Sequence, residues 1–162
     1  MAREFEGNIT QSVVDRLLDL EPRELVDPQF SRAKMLKEYR TSVRRDLQWL
    51  LNTRRINEAA GEDLPDCKKS LYNYGLPDFT TYSLNSSNDR AELSGHIEDT
   101  INQFEPRLRD VRVTVLDSES GDTRILRFKI EALLQMDPAP EQIFFDGVRD
   151  PGNGEFQLMG DK

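Results

Sequence analysis

Little in this sequence supplies reactive chemistry. Among 162 residues there is one cysteine, Cys67, and one histidine, His96. A single cysteine closes no internal disulfide, which suits a reducing compartment. One cysteine and one distant histidine make no zinc framework, so no metal is expected. Positive charge is in deficit, with 22 Lys and Arg against 30 Asp and Glu and a net charge of −8. The basic footprint of a nucleic-acid binder is missing. The same balance opposes docking on an anionic leaflet. No apolar run reaches the roughly 18 residues that a membrane helix needs. The opening Met1-Ala2-Arg3-Glu4-Phe5-Glu6 has no apolar signal-peptide core. A cytoplasmic protein without direct membrane insertion is therefore expected.

What is present is enough for a core. Hydrophobic residues make up 36% and charged residues 32%, which fits a globular domain with a well-solvated surface. No internal repeat or low-complexity tract is evident. The first apolar segment runs from Ile9 to Leu20, with Val13, Val14, Leu17 and Leu18 at helical spacing and Asn8 or Thr10 as caps. Pro22 and Pro28 then mark a linker over 21–30. Residues 1–30 thus read as a helical arm and linker, and 31–162 as the main domain.

Within that domain, Leu36, Tyr39, Val43, Leu47, Leu50 and Leu51 form one apolar stripe. The spacing predicts a helix from Ala33 to Arg54, capped by Ser31. Residues 60–85 are rich in turn formers but also hold Leu71, Tyr72, Tyr74, Leu76 and Phe79, so a packed-down loop is expected. A third helix is predicted over Asn88–Phe104, capped by Ser87 or Asn88 and stopped by Pro106. The period then changes to two. Val111, Val113 and Val115 make one strand, and Ser118-Glu119-Ser120-Gly121-Asp122 a turn. Leu126, Phe128, Ile130, Ala132 and Leu134 line one face of the next strand. Short strands follow at Ile143-Phe144-Phe145 and at Glu155–Met159. Helices first and an antiparallel meander afterwards predict an α+β fold, with the helices packed on a small sheet.

Three stretches carry a family resemblance. They are residues 42–54 (SVRRDLQWLLNTR), residues 70–79 (SLYNYGLPDF), and Phe104-Glu105-Pro106-Arg107-Leu108 leading into Val111-Arg112-Val113-Thr114-Val115. In this order they resemble the phage T4-type gene-25 baseplate wedge proteins, and within that family the TssE-type subunits of type VI secretion baseplates. The resemblance covers most of residues 31–148, and the N-terminal helix looks like the leader of TssE-type proteins. It implies a structural, non-enzymatic role with no cofactor. The implied partners are other wedge subunits (TssF-, TssG- and TssK-like) and sheath subunits (TssB- and TssC-like). The implied place is a cytoplasmic baseplate docked at the membrane. The implied task is to join the wedge core to the sheath and to start sheath polymerisation by strand pairing.

Read physically, Glu105, Pro106 and Arg107 form a stiff junction between a helix and a strand, because proline fixes φ and removes a donor. Arg107 offers a planar fork for bidentate pairing. Two readings stand: a helix stop with a solvated ion pair, worth about 0–1 kcal/mol, or a partner-docking corner. The resemblance favours docking, with Arg107→Ala expected to leave the fold intact. A sheet edge can also accept a partner strand, and Ile143, Phe144 and Phe145, within 143–148, are the expected edge. Trp49 is either a core-edge residue or an interface anchor.

Two other functions are open. A muramidase needs two carboxylates, one with a raised pKa; Glu105 with Asp110 or Asp117 would be the pair, but Arg107 beside Glu105 opposes it. A small anti-adaptor-type regulator of the same fold is the other alternative.

Overall fold

The computed structural model describes residues 12–17, 32–56, 63–79, 82–83, 86–116, 125–150, 152 and 154–160. The expected caps at Asn8, Thr10 and Ser31, the linker over 21–30, both ends of the first predicted helix and the 118–122 turn lie outside the described residues.

The fold is α+β. Helix α1 (Val13–Leu17) is followed by α2 (Arg32–Asn52), the short α3 (Pro65–Lys68), a 3-10 turn (Leu71–Asn73) and α4 (Ser87–Phe104). Four strands complete it: β1 (Leu108–Leu116), β2 (Leu126–Leu134), β3 (Glu141–Arg149) and β4 (Phe156–Gly160). They pair antiparallel in the order β1-β2-β3-β4. Helix α4 packs on β1 and α2 on β4. No described helix is long and apolar enough to cross a membrane.

The core follows the apolar periods. From α2 come Tyr39, Val43, Leu47, Leu50 and Leu51, and from α4 Leu93, Ile97 and Ile101. They meet the inward rows of the sheet, including Val113, Phe128, Ile130, Ile143, Phe145, Phe156 and Leu158. Burying a Leu, Ile or Phe side chain contributes roughly 1.5–3 kcal/mol, so this shared layer is what holds helices and sheet together. Ser86, one residue earlier than expected, caps α4 by accepting the Asp89 N–H. Helix α2 stops at Asn52 because the chain turns there to meet the 63–79 loop. Leu76 N–H donates to Thr53 O at 2.9 Å and Arg55 N–H to Leu76 O at 2.8 Å. Gly75 permits this with φ +102°, where a Cβ would strike the Thr53 carbonyl. The loop is packed down as expected at Tyr74, Leu76 and Phe79, but Leu71 is exposed.

Strand β3 is longer than the expected Ile143–Phe145. Its inward row is Ile143, Phe145 and Gly147. Gly147 contributes no apolar side chain, so the period of two fades from the sequence. The reason is steric: the Phe128 ring fills the place of a Gly147 side chain.

Candidate functional site

The corner after α4 is built from two elements. Glu105 is the C-cap of α4, its N–H donating to Ile101 O at 2.8 Å. Pro106 ends the helix and Leu108 opens β1. Arg107 turns back over α2. Its Nε donates to Glu105 Oε1 at 2.6 Å and its Nη2 to Glu105 Oε2. Nη2 also donates to Asp46 Oδ2 at 2.7 Å, and Nη1 to Ser42 Oγ at 3.2 Å. The guanidinium lies 5.9 Å from the Tyr39 ring centroid.

These groups are mostly inside. Side-chain exposure is 6% for Glu105, 17% for Arg107 and 23% for Asp46. Burial opposes the charged guanidinium, but the Glu105 and Asp46 carboxylates outweigh it and raise the Arg107 pKa. Burial also raises the Tyr39 hydroxyl, which Arg107 lowers and Glu105 raises.

The network extends to the N-terminal arm. Asp46 Oδ1 accepts from Arg45 Nη2 at 2.8 Å, and the same Nη2 reaches Asp15 Oδ1 of α1 at 2.8 Å. Asp15 Oδ2 accepts from Ser42 Oγ and from Ser12 Oγ at 2.6 Å. Burial raises the Asp15 pKa, but the hydrogen bonds from Ser12, Ser42 and Arg45 prevail and hold it below the usual carboxylate range. The result is a chain of alternating charge, Asp15–Arg45–Asp46–Arg107–Glu105, joining arm, α2 and corner. Ser42, Arg45, Asp46 and Trp49 share one side of α2 by their spacing. Trp49 is 53% exposed under the Arg45 guanidinium, so it lies outside the core. Val13, Val14 and Leu17 of α1 are exposed as well.

The expected site residues are therefore placed as follows. Glu105 and Arg107 come together, but face inward to Asp46 and Ser42, while Pro106 is exposed. Arg107→Ala is therefore expected to lower stability, since the substitution leaves the buried Glu105 carboxylate without its cation. Ile143 and Phe145 lie in the core at 2% and 3% exposure. Phe144 is on the opposite face beneath Lys129, whose Nζ is 4.4 Å from the ring centroid. The expectation that 143–148 forms a free edge is corrected over 145–148: β3 pairs with β2 along its length and with β4 from Phe145 to Arg149, which leaves only Ile143 and Phe144 of the expected edge without a second partner among the described residues. The sheet edges are β1 and β4. Both oxygens of Glu105 are engaged by Arg107. Asp110 is exposed with φ 51°, and Asp117 lies outside the described residues. A hollow of about 130 Å³ at the end of α2, lined by Asn52, Phe79, Arg149 and Phe156, is smaller than the roughly 300–1,000 Å³ of ligand sites.

Sequence reading missed Asp15, Ser42 and Asp46. The signal for Ser42 and Asp46 was available as a polar row beside the apolar stripe of α2.

The family model for baseplate wedge protein gp25 matches residues 37–139. No curated protein matches the chain. Three solved chains match. One, from a structure described as the baseplate complex from the type VI secretion system, superposes with a TM-score of 0.48 at 18% identity, covering 79% of this chain and 99% of that one. The family match spans well over half of the 162 residues and includes the Glu105–Arg107 corner, β1 and β2. The chain belongs to the family of baseplate wedge protein gp25.

Proposed function

We propose that this chain is the TssE-type subunit of a type VI secretion baseplate wedge, a non-enzymatic connector between the wedge core and the contractile sheath. Family membership over residues 37–139 is the observation that carries the reading. The short helix ahead of the domain, α1, supports the secretion branch of the family. The arm over 1–30 and the domain over 31–162 form one functional unit, linked through Asp15 and Arg45. The protein works in the cytoplasm, within a baseplate docked at the membrane.

Two surfaces divide the task. The corner at Pro106 meets the wedge core, of TssF, TssG and TssK type. Its internal Glu105–Arg107–Asp46 network fixes the angle at which the exposed proline is presented. A sheet edge meets the first sheath subunits, of TssB and TssC type, by main-chain pairing. Among the described residues no strand pairs with the outer side of β1 or β4.

The test is co-purification of the wedge with this chain as bait, in cells carrying the secretion apparatus. Recovery of wedge subunits supports the reading. Recovery of none, or peptidoglycan hydrolysis lost on Glu105→Gln, would overturn it.

A further inference from the structure

Asp15 is held by groups that are themselves held elsewhere. Helix α1 leaves Val13, Val14 and Leu17 exposed, and none of them joins the core. A surface helix normally turns its apolar side inward; this one turns a carboxylate inward instead. The Asp15 side chain is 14% exposed and meets α2 through both oxygens. Oδ1 accepts from Arg45 Nη2, and Oδ2 accepts from Ser42 Oγ. Its bonds with Ser12 lie within the arm.

The two α2 donors are fixed without the arm. Arg45 Nε and Nη2 both donate to Asp46 Oδ1, at 3.0 and 2.8 Å. Nη2 carries two protons, so one is left pointing away from Asp46. Ser42 has a single hydroxyl proton. Its oxygen accepts from Arg107 Nη1 at 3.2 Å, so that proton is directed away from Arg107, towards Asp15 Oδ2. Asp46 and Arg107 hold each other, and Glu105 holds Arg107. Removing Asp15 therefore leaves two aimed donors, one of them on a cation, with no anion between them. Charge-assisted bonds favour a carboxylate over a neutral acceptor there. Trp49 lies 4.9 Å from the Arg45 guanidinium and gives the site an exposed apolar border.

The geometry points to a carboxylate-binding site at Ser42 and Arg45, which Asp15 fills in the free chain and which an acidic side chain of a wedge subunit, flanked by an apolar residue against Trp49, takes over on assembly. This rests on the reading that the chain enters a wedge. The exchange costs the arm little buried apolar surface, since Val13, Val14 and Leu17 are already exposed. It also conserves charge, because one carboxylate leaves Arg45 as another arrives. An internal ligand weakens an outside one according to the fraction of time the site stands vacant, so Asp15 sets a threshold for incorporation. Ser42 ties the site to the corner, because Arg107 orients its hydroxyl.

The test uses the full chain in three forms: unmodified, Asp15→Ala, and Asp15→Ala combined with Ser42→Ala. Circular dichroism checks each fold. Sodium acetate is the probe, titrated against sodium chloride of equal ionic strength and followed by NMR. Asp15→Ala is expected to give saturating shifts at the Ser42 amide and the Arg45 Nε–H, several-fold larger than in the unmodified chain and absent from the double variant. If the double variant does not fold, the comparison of Asp15→Ala with the unmodified chain carries the titration. No saturation in Asp15→Ala, or equal shifts in the unmodified chain, overturns the site. In cells carrying the apparatus, Asp15→Ala and the unmodified chain are then expressed together with different tags. Enrichment of Asp15→Ala in the recovered wedge is expected, and equal or lower incorporation overturns the exchange. Failure of the unmodified chain to enter a wedge would instead sink the proposed function, while the titration still decides the site.

Discussion

Replacing Arg107 with alanine removes one side chain and leaves several groups unsatisfied. Glu105, at 6% side-chain exposure, keeps only the 3.2 Å bond from the Arg107 N–H. Asp46 loses one of its two cationic neighbours, and Ser42 loses a donor. Removing one member of a buried ion pair costs about 3–5 kcal/mol, because the other charge stays desolvated. Asp46 is 23% exposed and still meets Arg45, so the lower end, about 3 kcal/mol, applies. For a chain of this length each kcal/mol moves Tm by about 2–4 °C, which predicts a fall of about 6–12 °C by circular dichroism. Total stability of a domain is about 5–15 kcal/mol, so the variant remains folded at low temperature, where wedge binding is measurable. Arg107→Lys keeps the charge but cannot fork between two carboxylates, and should fall between wild type and alanine. A double-mutant cycle with Glu105→Gln should show coupling well above the roughly 0.3–0.5 kcal/mol of independent sites. A Tm change in Arg107→Ala of less than about 2 °C, corresponding to under 1 kcal/mol, would refute the reasoning. The corner would then be a solvated ion pair after all.

Two further outcomes follow from the same coordinates. The folded-state pKa of Asp15 lies below its unfolded value, so its contribution is present above about pH 4 and is lost as the pH falls through the folded pKa. NMR shifts of α1 and Ser42 should therefore move away from their pH 7 values on acidification in wild type, and be already displaced at pH 7 in Asp15→Asn; identical spectra for the two at pH 7 would count against the Asp15 contacts with Ser42 and Arg45. Gly147→Ala forces a methyl against the fully buried Phe128 ring, and overpacking of this kind costs about 1–3 kcal/mol. A urea midpoint unmoved by that substitution would show that β2 and β3 are not packed as described.

How far the sequence revealed this molecule depends on what kind of interaction placed each residue. The apolar stripes of α2 and α4 and the alternation in β2 were legible because burial imposes a period on neighbouring positions. Strand β3 was half legible, since Gly147 yields its place to Phe128, and that exchange is written on two strands at once. The edge was misjudged for a related reason: 143–148 reads as a short outer strand, but from Phe145 on it pairs on both sides. No period in one segment tells whether a second partner follows it.

The corner shows the limit most clearly. Glu105, Pro106 and Arg107 were visible as a stiff junction, yet their orientation was not, because Asp46 lies 61 positions from Arg107 and Asp15 lies 30 from Arg45. A charge in sequence looks solvated until its partner is known. The same inward orientation alters what the corner can do. A guanidinium that already spans Glu105 and Asp46 has little capacity left for a distant carboxylate. The exposed end of the network carries Trp49 under the Arg45 guanidinium, with Val13, Val14 and Leu17 of α1 exposed as well.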